Sequence, residues 1–171
     1  MLKNQKGLTL IEVLITLLLI GLVIGVMNQI YLTQFQSFKV TQEKSKLMKE
    51  AMEIQTQISH IAMEASGIIE IQLDDVSYKE KESLDEGTMI EVVLNHSQYD
   101  EVLIRYDKIN QTLTLNQTEI SQKISGFQIF SLDGTYENAN SINIKLVLQS
   151  NRLKQTVNYE TEFTVMFRNK E

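Results

Sequence analysis

The hydrophobic pattern changes its period twice along the chain. Residues 13–27 (VLITLLLIGLVIGVM) are aliphatic apart from Thr16 and two glycines, and no charged residue lies between Glu12 and Lys39. About 20 apolar residues at a rise of 1.5 Å cross a hydrocarbon layer of roughly 30 Å, so the run predicts a transmembrane helix over residues 8–32. Glu12, Asn28 and Gln29 must then sit toward its ends or find partners. Beyond it, Val40, Leu47, Ala51, Ile54, Ile58, Ile61 and Ala65 form one stripe, stepping by four and three from Leu47 onward. Lys44, Lys46, Lys49, Glu50, Glu53, Gln57 and Glu64 flank it, with Lys46 and Glu50 spaced as an i,i+4 pair. Neither proline nor glycine occurs between Gly25 and Gly67. Residues 8–66 are therefore expected as one helix of about 88 Å, amphipathic over 33–66, with Gly67 as its stop. About three heptads is short for a free coiled coil, so the stripe is expected to pack on a sheet.

The second change is to a period of two. Ile142, Ile144, Leu146 and Leu148 alternate with Asn143, Lys145, Val147 and Gln149. Val157, Tyr159, Thr161, Phe163, Val165 and Phe167 likewise alternate with Asn158, Glu160, Glu162, Thr164, Met166 and Arg168. Each is the pattern of a half-buried strand, and residues 151–154 read as the turn between them. Further strands are expected at 68–73, 89–94, 102–106, 112–115 and 127–132, with 107–110 as a hairpin turn. Short polar turns between consecutive strands indicate an antiparallel sheet. The expected fold is α+β, a lollipop in which a long N-terminal helix packs by its second half on an antiparallel β-sheet formed by residues 67–171.

Composition narrows what such a chain does. The length of 171 residues suits one domain of ordinary size, and 16 Lys plus Arg against 22 Asp plus Glu leave a net charge of -6. No basic field exists to neutralise a phosphate backbone, so direct nucleic-acid binding is not expected. The absence of Cys excludes disulfides, Cys-ligated zinc and thiol nucleophiles. Lys3, Lys6 and the amino terminus precede the apolar run without an acid. The cation-retaining rule then predicts a cytoplasmic N-terminus and an extracytoplasmic C-terminal part. A secretory signal peptide also starts with a basic region and an apolar run. It is disfavoured because no A-x-A-like cleavage site follows and because a carboxylate stands near the start of the run.

Glu12 requires a reason, since an ionised carboxylate at the edge of hydrocarbon is costly unless protonated, hydrated or paired. No cation lies between Leu8 and Phe38. A cut after Gly7 would create one, because the new amine of Leu8 would lie one helical turn from Glu12 and within reach of the Glu12 of an adjacent copy.

Residues 6–13, Lys-Gly-Leu-Thr-Leu-Ile-Glu-Val, resemble the processing signal of type IV pilins and pseudopilins. The resemblance implies that residues 1–7 are a basic leader, that prepilin peptidase cuts between Gly7 and Leu8, and that the Leu8 amine is methylated. It also implies that Glu12, with Thr9 beside the new terminus, pairs with an incoming subunit during assembly. Many members have phenylalanine where this chain has Leu8. The chain also lacks the anchor-helix proline of many major pilins, which leaves Gly21 and Gly25 as the only helix breakers. Their G-x-x-x-G spacing lets two helices approach closely in lipid, although glycine is also common in membrane helices. Thr16 is expected to bond back to its own helix. The order of anchor, amphipathic helix and sheet extends the likeness along the chain, and the segment 48–68 with the late strands is similar to minor J-like pilins and competence pseudopilins.

The resemblance thus implies a structural subunit rather than an enzyme. Its partners would be prepilin peptidase, other pilin or pseudopilin subunits, an inner-membrane assembly platform, and lipid before assembly. The machine would serve pilus assembly, competence DNA uptake or type II-like secretion. The rival reading is a single-pass anchored binding or sensor domain that keeps its N-terminus. No Ser/His/Asp order, H-E-x-x-H, G-x-S-x-G or phosphate-cradling glycine loop occurs. His60 reads as a packed or surface residue and His96 as part of a polar loop over 95–98. Asp74 with Asp75, Asp85 with Glu86, and Asp133 with Glu137 have the oxygen chemistry of calcium ligands but no EF-hand spacing, and they read as solvated turns. No metal or cofactor is expected. The sequons at Asn95, Asn110 and Asn116 matter only in a eukaryotic secretory path, which the other features do not suggest.

Overall fold

The computed structural model describes residues 9–74, 76–77, 88–96, 98, 100–132, 134–136, 139–151 and 155–167. A single helix, α1 (Leu10–Glu64), is followed by β1 (Ala65–Leu73), β2 (Val76–Ser77), β3 (Met89–His96), β4 (Asp100–Asp107), β5 (Thr112–Leu115), β6 (Thr118–Ser121), β7 (Ile124–Ser131), β8 (Ser141–Ser150) and β9 (Val157–Met166). The chain forms two compact units, Met1–Gln42 and Glu43–Glu171.

In the first unit the helix is apolar all round over residues 13–27, and its large hydrophobic side chains from Leu10 to Leu32 are all exposed. It is long and apolar enough to cross a membrane. In the second unit α1 hides Leu47, Ala51, Ile54, Ile58 and Ala62, stepping by four, three, four and four as a helix with one covered face requires. Ala62, not Ile61, occupies the last buried position of the stripe. The chain turns straight into β1, which starts at Ala65, so the helix ends at Glu64 and not at Ser66.

Gly67 does not stop the helix. It lies inside β1 beside a bulge, where Ala65 pairs with His96 and Gly67 with Asn95, leaving Ser66 as the extra residue. Lys46 and Glu50 do not pair as expected either. Lys46 reaches Glu43 at 3.1 Å, and Glu50 turns toward β6 and β7, accepting from Ser121 Oγ at 2.7 Å and from Lys123 Nζ at 2.5 Å. The attraction of a half-buried lysine outweighs an exposed i,i+4 contact, which is worth only a few tenths of a kcal/mol.

The strands divide between two antiparallel sheets, β2-β1-β3-β4-β5-β6 and β7-β8-β9. Ile90, Val92 and Leu94 on β3 sit opposite Tyr106, Ile104 and Val102 on β4, and all six are buried. In the second sheet Ile142, Ile144, Leu146 and Leu148 point inward on β8 and Val157, Phe163, Val165 and Phe167 do so from β9 onward, matching the alternation in the sequence. The segment expected at 127–132 starts earlier, at Ile124. A bulge lies between Ile124 and Gly126, and glycine suits position 126 because a Cβ there would sit 3.3 Å from two atoms of the Val147 side chain. Tyr136 fixes the connection from β7 to β8, its buried hydroxyl donating to the Ile129 carbonyl at 2.8 Å.

Candidate functional site

The start of α1 is built by Thr9 and Glu12. Thr9 precedes the first helical residue, and Glu12 stands in the first turn. The Thr9 backbone N–H and its hydroxyl both donate to Glu12 Oε2 at 3.3 Å, and the Glu12 backbone N–H donates to Thr9 Oγ1 at 3.4 Å. This is a reciprocal capping box, T-x-x-E, which satisfies amide groups that a helix start leaves without partners. The carboxylate also faces the positive end of the helix dipole. The signal for this arrangement is present in the sequence as Thr9-Leu10-Ile11-Glu12, and reading Glu12 only as a membrane-edge charge overlooks it. One turn on, Thr16 Oγ1 donates to the Glu12 carbonyl at 2.7 Å, the back-bond expected of it.

Gly7 and Leu8 lie outside the described residues. Gly21 and Gly25 fall on one side of the helix, four residues apart, with nothing within 4 Å of where a Cβ would stand on either. The surface between Leu10 and Leu32 thus carries one carboxylate at its start, two notches at mid-length, aliphatic side chains over most of the rest, and the polar or aromatic Asn28, Gln29 and Tyr31 toward its far end. It is shaped for lipid or for other apolar helices.

Residues 2–28 match the family model of the prokaryotic N-terminal methylation motif. The methylation motif spans the basic segment, the Gly7-Leu8 junction, the capping box and both notches, and it supports a type IV pilin-like chain that is processed by prepilin peptidase. Its match ends before the second unit begins. No curated protein and no solved structure matches the chain.

The remaining candidate residues serve the architecture of the second unit. Asp74, with φ 48°, accepts from the backbone N–H groups of Thr88 at 3.0 Å and Met89 at 2.8 Å, and so ties the end of β1 to the start of β3. Asp75, Asp85, Glu86, Asp133 and Glu137 lie outside the described residues, as do residues 152–154 of the expected turn. Among the described residues no group of three His, Asp or Glu side chains is placed to hold a metal ion.

His96 is not in a loop. It is the last residue of β3 and is buried, because the strand continues to pair with β4 through Asp100. Its Nδ1 accepts from the Gln98 backbone N–H at 3.1 Å, which leaves the proton on Nε2, 3.2 Å from Glu64 Oε2. Exposed His60 approaches the other Glu64 oxygen at 3.8 Å. These three side chains line an open cleft of about 430 Å³ with Gln57, Ile61 and Asn116. A smaller cavity of about 190 Å³ lies beside the Lys145–Glu160 ion pair, whose oxygen and nitrogen are 2.6 Å apart. That bond and the field of Glu160 raise the Lys145 pKa above its ordinary value. Neither cavity brings a nucleophile together with a base and an oxyanion donor.

Two turns carry polar side chains in structural roles. Asp107 Oδ1 accepts from the backbone N–H groups of Asn110 at 3.0 Å and Ile109 at 2.8 Å, and Asn110 Nδ2 donates to Oδ2 at 2.7 Å. The Asn110 contacts lead in holding the Asp107 carboxyl below its ordinary pKa. Asn116 and Gln117 take φ of 46° and 68° between β5 and β6, and Asn116 exchanges two 2.9 Å hydrogen bonds with the Leu103 backbone. These bonds engage the sequon positions Asn110 and Asn116 in turns.

Proposed function

We propose that this chain is a minor type IV pilin or pseudopilin, a structural subunit that waits in a membrane and is then built into a filament through its N-terminal helix. The observation that carries the reading is the methylation-motif match at residues 2–28, on a helix whose apolar surface is uncovered from its first turn. Prepilin peptidase cuts after Gly7, Leu8 becomes the methylated first residue, and residues 8–32 cross the membrane from a cytoplasmic N-terminus. The sheets stand outside the cell membrane. Other pilin or pseudopilin subunits and an inner-membrane assembly platform are its partners, in pilus assembly, competence DNA uptake or type II-like secretion.

Glu12 has two tasks in this scheme. Cleavage after Gly7 leaves the Thr9 N–H in place, so the capping box survives with Oε2 engaged. Oε1 then faces an incoming amine. Meeting that amine lowers the cost of moving a carboxylate from the membrane edge into a filament core, while Gly21 and Gly25 let neighbouring helices come close.

Mass spectrometry of native material tests the scheme. The expected mature protein starts at methylated Leu8. An intact segment 1–7 in cells with active prepilin peptidase would overturn the reading and leave a single-pass anchored binding or sensor domain in its place.

A further inference from the structure

A second polar landmark lies on the first unit. No aromatic residue precedes Tyr31, and then Tyr31, Phe35 and Phe38 follow within eight positions, ahead of Lys39, the first cation after Lys6. Tyr31, Phe35 and Lys39 are spaced by four, so they share one side of the helix. The rings of Tyr31 and Phe35 stack with centroids 6.2 Å apart and planes 10° from parallel. Lys39 Nζ lies 4.4 Å from the Phe35 ring centroid. Tyr31 and Phe38 are two-thirds exposed and Phe35 nearly half, and all three continue the uncovered apolar surface of residues 10–32.

We propose that Tyr31, Phe35 and Lys39 form an interfacial anchor that fixes where the helix leaves the bilayer, with the Lys39 ammonium bound to phosphates of anionic phospholipid. From Glu12 to Tyr31 the helix advances about 29 Å, close to the roughly 30 Å of a hydrocarbon layer. The carboxylate and the phenol therefore mark its two faces. The next eight residues add about 12 Å, which carries the chain through the headgroup layer. Side chains lean toward a helix N-terminus, so the Lys39 stem runs back one turn and sets its charge over Phe35, at phosphate depth and not at the level of its own Cα. An aromatic face on one side of the ammonium leaves the other for an anion. Aromatic rings with an amphipathic edge favour this layer. The boundary layer consequently spans residues 31–39, reaching past Leu32, the end of the expected membrane-crossing segment.

The inference rests on the membrane-spanning part of the proposed function and not on cleavage, which the mass of the N-terminus reports separately. The chain has no Cys, so Thr33→Cys, Gln36→Cys and Thr41→Cys can each be introduced alone into the full-length protein. Each variant is reconstituted in vesicles of phosphatidylcholine with phosphatidylglycerol and labelled with a membrane-impermeant maleimide. Position 41 is expected to label at least about tenfold faster than position 33, with 36 between them, as burial of 33 in the bilayer requires. Adding Lys39→Gln should speed labelling at 36 by about fivefold, the effect of losing one cation from an anionic surface. Lys39→Arg should restore the slow rate, and vesicles of phosphatidylcholine alone should abolish the difference between Lys39 and Gln. Equal labelling at 33 and 41, or a Lys39→Gln variant that labels like the parent, overturns the anchor. Loss of the Lys39 effect on adding inorganic phosphate overturns lipid as the source of the anion.

Discussion

Between residues 10 and 32 helix α1 exposes large apolar side chains around its circumference, whereas between 43 and 64 it buries one stripe and turns most of its charges to water. Both stretches are regular helix, so backbone preference does not separate them. The distribution of apolar residues around the axis does. An all-round apolar surface cannot be satisfied by the chain's own sheets and calls for an external apolar partner, while a stripe about one-third of the circumference wide is satisfied from within. The surface left for an outside partner and the surface that holds the fold together accordingly lie on different stretches of one element.

The sharpest way to break this contrast is at Glu12, the only charge on the uncovered stretch before Lys39. Glu12→Val removes both the charge and the capping box. Glu12→Gln keeps an acceptor for Thr9 and removes only the charge. Both variants should be processed normally but reach filaments at less than about a tenth of the parent level, the change expected when a charge pair worth more than 1.4 kcal/mol is lost. Quantitative immunoblots of sheared filaments measure this. Normal incorporation of Glu12→Gln would assign Glu12 to capping alone.

A second comparison sets Ile58→Ala against Leu18→Ala. Ile58 is 0% exposed and Leu18 68% exposed. The first should lower unfolding stability by about 2–5 kcal/mol through lost contacts and a residual cavity. Leu18→Ala should leave the denaturation midpoint of the full chain in detergent unchanged. A smaller effect, about 1 kcal/mol, is expected for Tyr136→Phe, which removes the hydroxyl from the Ile129 carbonyl. Thermal melts followed by near-ultraviolet dichroism would detect it.

The smallest effect concerns pH. Because folding depresses the Asp107 pKa, its contribution is present above the ordinary value of 3.8 and fades as pH falls through the lower folded value. Lys145 runs the other way. Its raised pKa stabilises the fold below the ordinary 10.5 and loses that contribution as pH climbs through the higher folded value. Asp107→Asn should flatten the acid limb of the stability profile without touching the alkaline limb. An acid limb identical to the parent's would place the sensitivity elsewhere.

The long helix and the pair β8–β9 were legible because periods of 3.6 and 2 persist over many residues there, and the pair β4–β5 because a polar turn at 107–110 separates two apolar runs. The short strands β2 and β6 were not. β6 has four residues, and the turn before it uses Asn116-Gln117 in place of glycine, held by bonds to Leu103 that only the folded chain supplies. The division into two sheets was equally hidden, since alternation reports which face is buried but not which strand is the neighbour. At the candidate site, Glu12 is conspicuous in the sequence as a lone charge, whereas its bond to Thr9 depends on where the helix begins, which hydrophobicity alone does not mark. His96 differs from its expected place for a related reason. Polar neighbours at 95–98 resemble a loop, and only the pairing with β4 and the carboxylate of Glu64 explain a buried imidazole.

Glu64 ends α1 and Ala65 opens β1, with no linker residue between them. A tug on the rod at this junction has no slack chain to take up. It is met at once by the β1–β3 ladder and by the buried stripe Leu47, Ala51, Ile54, Ile58 and Ala62. The helix and the strand it leads into must therefore yield together, as a stiff coupling does.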